Sequence, residues 1–273
     1  MVSLQIVSDI HLEFRGKRPK YATILPKGGT DLVLAGDIGR PFMTGNDRNI
    51  YADFIAYCAK TWRLIFVVTG NHCYYAKKRS QVNEKISSIC KEHDNVHFLN
   101  DSEFLFTPDL DYPKHIKGIY GCTLWTNVRD HTFTDMNDKR IQREGGYLET
   151  KKTKEIDADT VRQWHQEHVD QLRVHLKEAN KDNQWIIVTH HAPHDALLDP
   201  GRSLNDRFYD NAYAAKLPKE VFDSSKVALW VSGHTHVHRD IQVDGIRCVS
   251  NCVGYPSQSP RKTQYRSGFS IEY

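Results

Sequence analysis

Three short apolar stretches in the first quarter of the chain decide the fold: residues 4–9 read LQIVSD, residues 31–37 read DLVLAGD, and residues 64–71 read LIFVVTGN. Each stretch is rich in residues that favour strands, and each ends in a carboxylate or an amide. The segments between them are long enough for a helical crossover, the connection that parallel strands require. This spacing predicts parallel βαβ units.

Two later stretches show the same pattern, with residues 184–191 reading QWIIVTHH and residues 227–236 reading VALWVSGHTH. Parallel sheets bind ligands at the carboxyl ends of their strands, because loops and helix N-termini gather there. We therefore expect the polar residues that follow all five strands to meet at one edge.

The side chains at these strand ends offer carboxylate, imidazole and amide donors and no thiolate. They are Asp9, His11, Asp37, Asn71, His72, His190, His191, His234 and His236. Such donors suit Mn²⁺, Fe or Zn²⁺ and argue against Cu(I) or an iron–sulfur cluster. Glycines 36 and 70 precede polar residues in two of the turns, where the missing side chain lets the backbone approach a metal or a phosphate closely.

Five short motifs stand in a recognisable order and spacing. They are DIH at residues 9–11, GD at 36–37, GNH at 70–72, THH at 189–191 and GHTH at 233–236. In these motifs the chain resembles the calcineurin-like metallophosphoesterases, from residue 4 to about residue 250. One motif alone would be weak, but five in order, each closing a predicted strand, are a specific signal.

The resemblance implies an α/β fold in which two mixed β-sheets pack face to face as a sandwich with flanking helices. The parallel units by themselves indicate only a doubly wound sheet. We expect one domain over residues 1–273, with loop insertions at about 126–155 and 193–227 that shape the substrate pocket.

The resemblance also implies two divalent metal ions, with Mn²⁺ expected and Fe or Zn²⁺ as alternatives. Their implied ligands are Asp9, His11 and His236 for one ion, Asn71, His190 and His234 for the other, and Asp37 as the bridge. In this family a metal-bridging hydroxide attacks the phosphorus of a phosphoester, and such an ion pair lies roughly 3.5 to 4 Å apart.

His72 corresponds to the residue that protonates the leaving alkoxide or stabilises the phosphate. In the protein phosphatases of this superfamily the second motif continues as GDxxDRG and supplies an aspartate that orients this histidine. Here residues 36–41 read GDIGRP, with Arg40 at the aspartate position. Another residue must therefore orient His72, if any does. Arg40 and His191 are candidate substrate contacts.

The predicted function is metal-dependent hydrolysis of a phosphodiester or phosphomonoester, with a small molecule or a nucleotide as the first choice of substrate. A serine/threonine-type protein phosphatase is the alternative within the enzyme class, weakened by the missing aspartate, and a DNA nuclease of the superfamily ranks third. A non-catalytic metal-binding scaffold is the alternative from another class, and it should show a broken set of metal ligands.

Composition sets wider bounds. The net charge is only +3 over 273 residues, which is far from the strongly basic charge of a typical nucleic-acid-binding domain. We therefore expect no dedicated nucleic-acid-binding domain. No apolar run approaches the roughly 18 residues of a membrane span, and no basic, apolar leader is visible. The six cysteines form no CxxC pair. We therefore expect a cytoplasmic protein with free thiols and no membrane partner.

Three further elements are predicted locally. Residues 156–181 carry apolar side chains at helical spacing between charges, which predicts an amphipathic helix. Residues 241–250 read IQVDGIRCVS, where Asp244 and Gly245 favour a type I′ turn in a hairpin. Residues 269–273, FSIEY, form a closing strand.

Overall fold

Two mixed β-sheets with helices on their outer faces form the protein, in a computed structural model that describes residues 2–17, 19–45, 48–144, 155–201 and 203–273. The strands are β1 Ser3–Val7, β2 Asp31–Ala35, β3 Thr44–Gly45, β4 Arg48–Asn49, β5 Ile65–Val68, β6 Val96–Phe98, β7 Ser102–Leu105, β8 Ile116–Cys122, β9 Gln184–Thr189, β10 Val227–Ser232, β11 Arg239–Val243, β12 Ile246–Ser250 and β13 Ser270–Glu272. The α-helices are α1 Tyr21–Ile24, α2 Ile50–Thr61, α3 Arg79–Cys90, α4 Asp130–Asp135, α5 Ala158–His175, α6 Leu204–Arg207, α7 Asp210–Tyr213 and α8 Pro260–Thr263. Single 3₁₀ turns cover Leu12–Phe14, Asn71–Tyr74, Pro108–Leu110, Asn137–Arg140 and Asp195–Leu197.

Both sheets have a parallel centre, with one antiparallel edge strand in the first sheet and two in the second. The first sheet has the order β13-β1-β2-β5-β6, in which β1, β2, β5 and β6 are parallel and β13 is antiparallel to β1. The second has the order β11-β12-β10-β9-β8-β7, with β12, β10, β9 and β8 parallel and the two edge strands antiparallel. The five predicted strands are confirmed, and so are the mixed sheets. The doubly wound sheet that the parallel units alone indicated is not what forms.

The inner faces of the two sheets make a common apolar core. Along β1, Leu4 and Ile6 point into this core, whereas Val7 packs beneath the outer helices, as the two-residue period of a strand requires. Ile186 of β9 and Val231 of β10 meet them from the second sheet. Every residue of β2 is buried because both faces of its sheet are covered.

The outer faces are covered by amphipathic helices. Helices α2 and α3 lie over the first sheet through residues such as Phe54 and Ile86. The predicted helix at 156–181 is α5, which begins after Asp157, whose side chain accepts a hydrogen bond from the Thr160 N–H. It ends at His175, six residues earlier than predicted, and Leu176 is its C-cap.

The remaining local predictions are confirmed. Asp244 and Gly245 have φ of 47° and 83°, the left-handed pair that a type I′ turn requires. Strand β13 closes the first sheet against β1. All six cysteines are buried free thiols. Among the described residues, no helix is long and apolar enough to cross a membrane.

The two insertions contain short helices rather than irregular chain alone. Helix α4 and the 3₁₀ turn Asn137–Arg140 lie in the insertion at 126–155, of which residues 145–154 are outside the described residues. Helices α6 and α7 and the 3₁₀ turn Asp195–Leu197 lie in the insertion at 193–227.

Burial along α5 gives a stability prediction. Leu172 is fully buried in the core beneath the second sheet, whereas Val174, on the same helix, is 71% exposed. Leu172→Ala should lower the free energy of unfolding by about 2–5 kcal/mol, because it removes buried methyl groups and leaves a cavity. Val174→Ala is the matched control and should change it by less than about 0.5 kcal/mol. Equal effects of the two variants in urea unfolding would contradict this packing.

Candidate metal centre

The first cluster of metal-binding atoms follows β1 and β10. Asp9 and His11 come directly after β1, and His236 lies four residues beyond β10. Their ligand atoms all lie within 4.8 Å of one another. The Nε2 atom of His236 is 3.3 Å from Oδ1 of Asp9 and 3.0 Å from Nε2 of His11. Two imidazole nitrogens and one carboxylate therefore face a common point.

The second cluster follows β2, β5, β9 and β10. Asp37, His190 and His234 place their ligand atoms within 4.8 Å of one another. The Nε2 atom of His190 is 3.3 Å from Oδ2 of Asp37 and 3.1 Å from the amide oxygen of Asn71. The amide oxygen of Asn71 thus points into this cluster.

Asp37 joins the two clusters. It also lies with His11 and His72 in a third group whose ligand atoms are within 4.8 Å of one another. Its Oδ1 accepts a hydrogen bond of 2.9 Å from the His72 N–H, while its buried Oδ2 makes no well-formed hydrogen bond among the described residues and has only Nε2 of His190 at 3.3 Å. A buried carboxylate oxygen that is so poorly satisfied is costly, and a bound cation would relieve that cost. The donor set, carboxylate, amide and imidazole, fits a divalent metal ion.

The ionisable groups of the clusters shift one another's pKa values. Burial by itself would raise the pKa of Asp37, but His190 and His72 outweigh it and hold that pKa well below its ordinary value. Burial alone would lower the pKa of His190, but Asp37 raises it to about 9. Burial and the neighbouring His190 together lower the pKa of His234 to about 3. The carboxylate is therefore held as an anion, the form that binds a metal.

The backbone at the centre has an unusual conformation. Five of the predicted ligands have a positive φ: Asp9 53°, His11 51°, Asp37 50°, His234 66° and His236 52°. Non-glycine residues rarely adopt this left-handed region, and each instance costs about 1–3 kcal/mol unless the surrounding structure imposes it. Such strain concentrates at functional sites, because it turns side chains toward a shared point.

Glycines make room for the ligands. A Cβ atom on Gly36 would lie 2.3 Å from Nδ1 of His190, and one on Gly70 would lie 2.2 Å from Oδ1 of Asp37. Both distances are far below van der Waals contact, so any larger residue would displace a predicted ligand. The structure thus shows close approach of these two glycines to candidate ligands, while the predicted approach to a metal or a phosphate stays a prediction.

Glu13 supplies the contact to His72 that the sequence left open. Its Oε1 is 3.2 Å from Nδ1 of His72 and 3.1 Å from Nδ1 of His11. Although burial raises the pKa of Glu13, the hydrogen bonds to the two histidines lower it to about 2, so the side chain is an anion. On its other side, Nε2 of His72 lies 3.0 Å from the hydroxyl of Tyr255. Sequence reasoning missed Glu13, whose only local signal is a carboxylate two residues after a predicted ligand.

Other polar side chains contact the candidate ligands on the side away from the clusters. The amide nitrogen of Asn71 donates to Oδ1 of Asp138 at 2.8 Å and to the hydroxyl of Tyr75 at 2.9 Å, which turns its oxygen toward the second cluster. Nδ1 of His236 is 2.7 Å from Oε1 of Gln258. Asp138 and Gln258 carry no motif and were not predicted. Such outer contacts fix the orientation of a ligand.

A pocket of about 710 Å³ opens over the clusters. Its described lining residues are Asp37, Asn71, His72, Tyr75, Asp135, Met136, Asn137, Asp138, Leu198, Asp199, Gly201, Tyr209, Ala212, Tyr213, His234, Thr235, His236, Tyr255, Gln258 and Lys262. Both insertions contribute to the wall, as predicted. The C-terminal segment also contributes, through Tyr255, Gln258 and Lys262, which was not predicted.

Arg40 and His191, the two candidate substrate contacts, are not among these described lining residues. The guanidinium carbon of Arg40 is 5.5 Å from the ring centroid of Tyr75. His191 is buried, with Nδ1 3.2 Å from the carbonyl oxygen of Thr123.

Asp101, Cys122 and His168 form another group with metal-ligand spacing in the described part of the chain. The Arg79 guanidinium lies 2.9 Å from Nε2 of His168 and 3.8 Å from Asp101. This group therefore already holds a cationic side chain. His168 is a packing residue of α5, as expected for the histidines of that helix.

Comparison with known proteins gives three findings. The family model of the calcineurin-like phosphoesterases matches residues 4–238. Uncharacterized protein L509 of Acanthamoeba polyphaga mimivirus is 30% identical over 276 residues, covering 92% of this chain and 91% of that protein. The structure of phosphopantetheinyl hydrolase from Mycobacterium tuberculosis aligns with a TM-score of 0.68 at 16% identity, covering 98% of this chain and 95% of that one. The last similarity confirms the fold predicted from the motifs.

The position of Asp37 between the clusters gives a metal-binding prediction. The metal-free wild-type chain should take up about two Mn²⁺ ions, as expected when two ions share one carboxylate, and Mn²⁺ should raise its melting temperature. Asp37→Asn should bind about one ion or fewer, since the shared anion is lost. Metal analysis after dialysis measures this, with the exposed Asp53→Asn on α2 as the control. An unchanged metal content in Asp37→Asn would contradict the shared role.

Proposed function

The chain belongs to the calcineurin-like phosphoesterase family and is a metal-dependent phosphoesterase, and from this premise we propose that it uses two metal ions to hydrolyse small phosphoesters. The observation that carries the proposal is the position of Asp37, which lines the pocket, belongs to the second cluster and also has a carboxylate oxygen within 4.8 Å of a ring nitrogen of His11 in the first cluster. We also propose that residues 1–273 form one domain, which the apolar core common to both sheets supports.

In this proposal each cluster holds one divalent ion, Mn²⁺ in first place with Fe or Zn²⁺ as alternatives. The ligands are Asp9, His11 and His236 for one ion, Asn71, His190 and His234 for the other, and Asp37 for both. Divalent ions held there would supply Lewis-acid polarisation of the phosphoryl group and a water of lowered pKa. None of these seven ligands is missing or turned away, which weighs against a non-catalytic scaffold.

His72 acts on the leaving group. Its side chain lines the pocket, and Nε2 is the nitrogen that faces away from Glu13 toward Tyr255. A proton on Nε2 is transferred to the leaving alkoxide oxygen as the bond between that oxygen and phosphorus breaks, and the imidazole returns to its neutral form.

The size and lining of the pocket favour a small-molecule ester. A volume of about 710 Å³ falls in the range of about 300–1,000 Å³ that is usual for small-molecule sites. The lining includes four aromatic side chains, those of Tyr75, Tyr209, Tyr213 and Tyr255. Such side chains suit a phosphoester whose alcohol part is a nucleoside or another planar, aromatic group. A phosphoprotein is the second choice of substrate. Residues of both insertions line the pocket and limit its width, and Arg40 stands where protein phosphatases have an aspartate.

A metal add-back assay tests the activity. Metal-free protein should be inactive, and Mn²⁺ should restore hydrolysis of bis(p-nitrophenyl) phosphate or p-nitrophenyl phosphate, because the buried carboxylates need the ion to bind a phosphate. The preferred ester distinguishes a diesterase from a monoesterase. A chain that retains two ions yet hydrolyses neither ester would contradict the proposal and favour the scaffold alternative.

The role of His72 gives a second prediction. His72→Ala should lower kcat about 10²–10⁴-fold for an alkyl phosphoester, whose poor leaving group needs a proton, and much less for a p-nitrophenyl ester. Steady-state kinetics with both esters measures the difference, and His131→Ala on α4 serves as the control. Equal losses on both esters would remove His72 from the acid role.

A further inference from the structure

Glu13 lies between a metal-ligand candidate and the proposed acid. Its side chain is 4% exposed, and the single atom Oε1 approaches Nδ1 of both His11 and His72. The two imidazole rings meet edge to face, with centroids 4.6 Å apart. One carboxylate oxygen has two lone pairs, so it can accept an N–H from each ring.

We propose that Glu13 is the positioning residue of His72, in place of the aspartate that the GDxxDRG sequence supplies in protein phosphatases. The inference rests on the proposed function and deepens it. Arg40, which stands at the aspartate position, has its guanidinium over Tyr75. Glu13 instead reaches the same histidine from the turn after β1, the strand that lies next to β2 in the first sheet.

The hydrogen bond to Glu13 selects the useful form of the imidazole. With Nδ1–H donating to Oε1, Nε2 becomes the nitrogen that gains and loses a proton, and it faces Tyr255 on the pocket wall. When Nε2–H gives its proton to the leaving oxygen, the Nδ1 proton stays on the ring. A ring with the opposite tautomer would present Nε2–H in its neutral form and could not take up the next proton there.

The same oxygen orients His11. With Nδ1–H of His11 donating to Glu13, Nε2 of His11 is free to face Asp9 and His236 in the first cluster. Glu13 therefore ties the orientation of a metal-ligand candidate to that of the proposed acid.

The backbone around Glu13 is held firmly. The N–H groups of His11 and Leu12 donate to the carbonyl oxygens of Asp37 and Ile38, each at 2.9 Å, and the 3₁₀ turn Leu12–Phe14 follows at once. Arg15 then donates to the carbonyl oxygen of Gly254 at 2.9 Å, which fastens this turn to the segment that carries Tyr255. The side chain of Glu13 is thus fixed relative to both of its histidines.

The test compares Glu13→Gln and Glu13→Ala with wild type at saturating Mn²⁺. Both variants should lower kcat about 10–100-fold for an alkyl ester, the usual loss when a carboxylate that orients an active-site side chain is removed. They should lower kcat much less for the p-nitrophenyl ester and leave KM for both esters nearly unchanged. Saturating Mn²⁺ keeps the first cluster occupied when the contact of Glu13 to His11 is lost. In the His72→Ala background, Glu13→Ala should therefore cause little further loss for the alkyl ester, because its remaining effect on that ester acts through His72. Glu84→Gln on α3, an exposed position, is the matched control.

A second measurement does not depend on turnover. Nitrogen NMR of histidine-labelled, metal-free protein should show the His72 ring protonated on Nδ1 in wild type and a mixture of tautomers in Glu13→Ala. An unchanged tautomer, or equal losses of kcat on both esters, would overturn the positioning role. If wild type hydrolyses neither ester, the proposed function fails separately, and the NMR result still decides whether Glu13 orients His72.

Discussion

The structure around the site depends on the need to stabilise two buried, ionised carboxylates, those of Asp9 and Asp37. They follow adjacent parallel strands, and they are 0% and 1% exposed. An ionised carboxylate away from water is costly unless it is paired and hydrogen-bonded. Imidazoles therefore face both side chains, and the backbone N–H groups of His234 and His72 donate to them. Parallel pairing places the two anions at one edge, so everything that stabilises them must gather there.

Bringing the carboxylates and imidazoles to one edge requires an unusual backbone conformation at the strand ends. Five of the seven proposed ligands lie in the left-handed region, and glycines stand where an ordinary side chain would strike His190 or Asp37. The strain is tolerated because it is confined to the turns. The strands before these turns are held by their neighbours in the sheets, which compensate the cost. The rigid sheets thus hold a geometry that the turns would not adopt alone.

The orientation of the ligands depends on residues from distant parts of the chain. Glu13 comes from the loop after β1, Asp138 from the first insertion, and Gln258 from the segment after β12, beyond the region that the family model matches. Each of them touches the side of a ligand or of His72 that faces away from the clusters. Because each contact joins two segments, the centre is complete only when both sheets, the first insertion and the C-terminal segment are in place.

The sequence by itself determined the five strands that precede the motifs and the set of candidate ligands, because strand periodicity and donor chemistry are local properties: DLVLAGD and VALWVSGHTH each contain both the strand and the residues that follow it. It did not predict β6, β7 or β8. Only the tertiary structure decided that Glu13 contacts His72, that Arg40 and His191 lie outside the pocket lining, and that Tyr255 lies within it. These outcomes depend on the packing of two sheets and on a few positive φ angles. These contacts cannot be predicted from residue spacing, because they join residues that are far apart in the sequence, such as His72 and Tyr255.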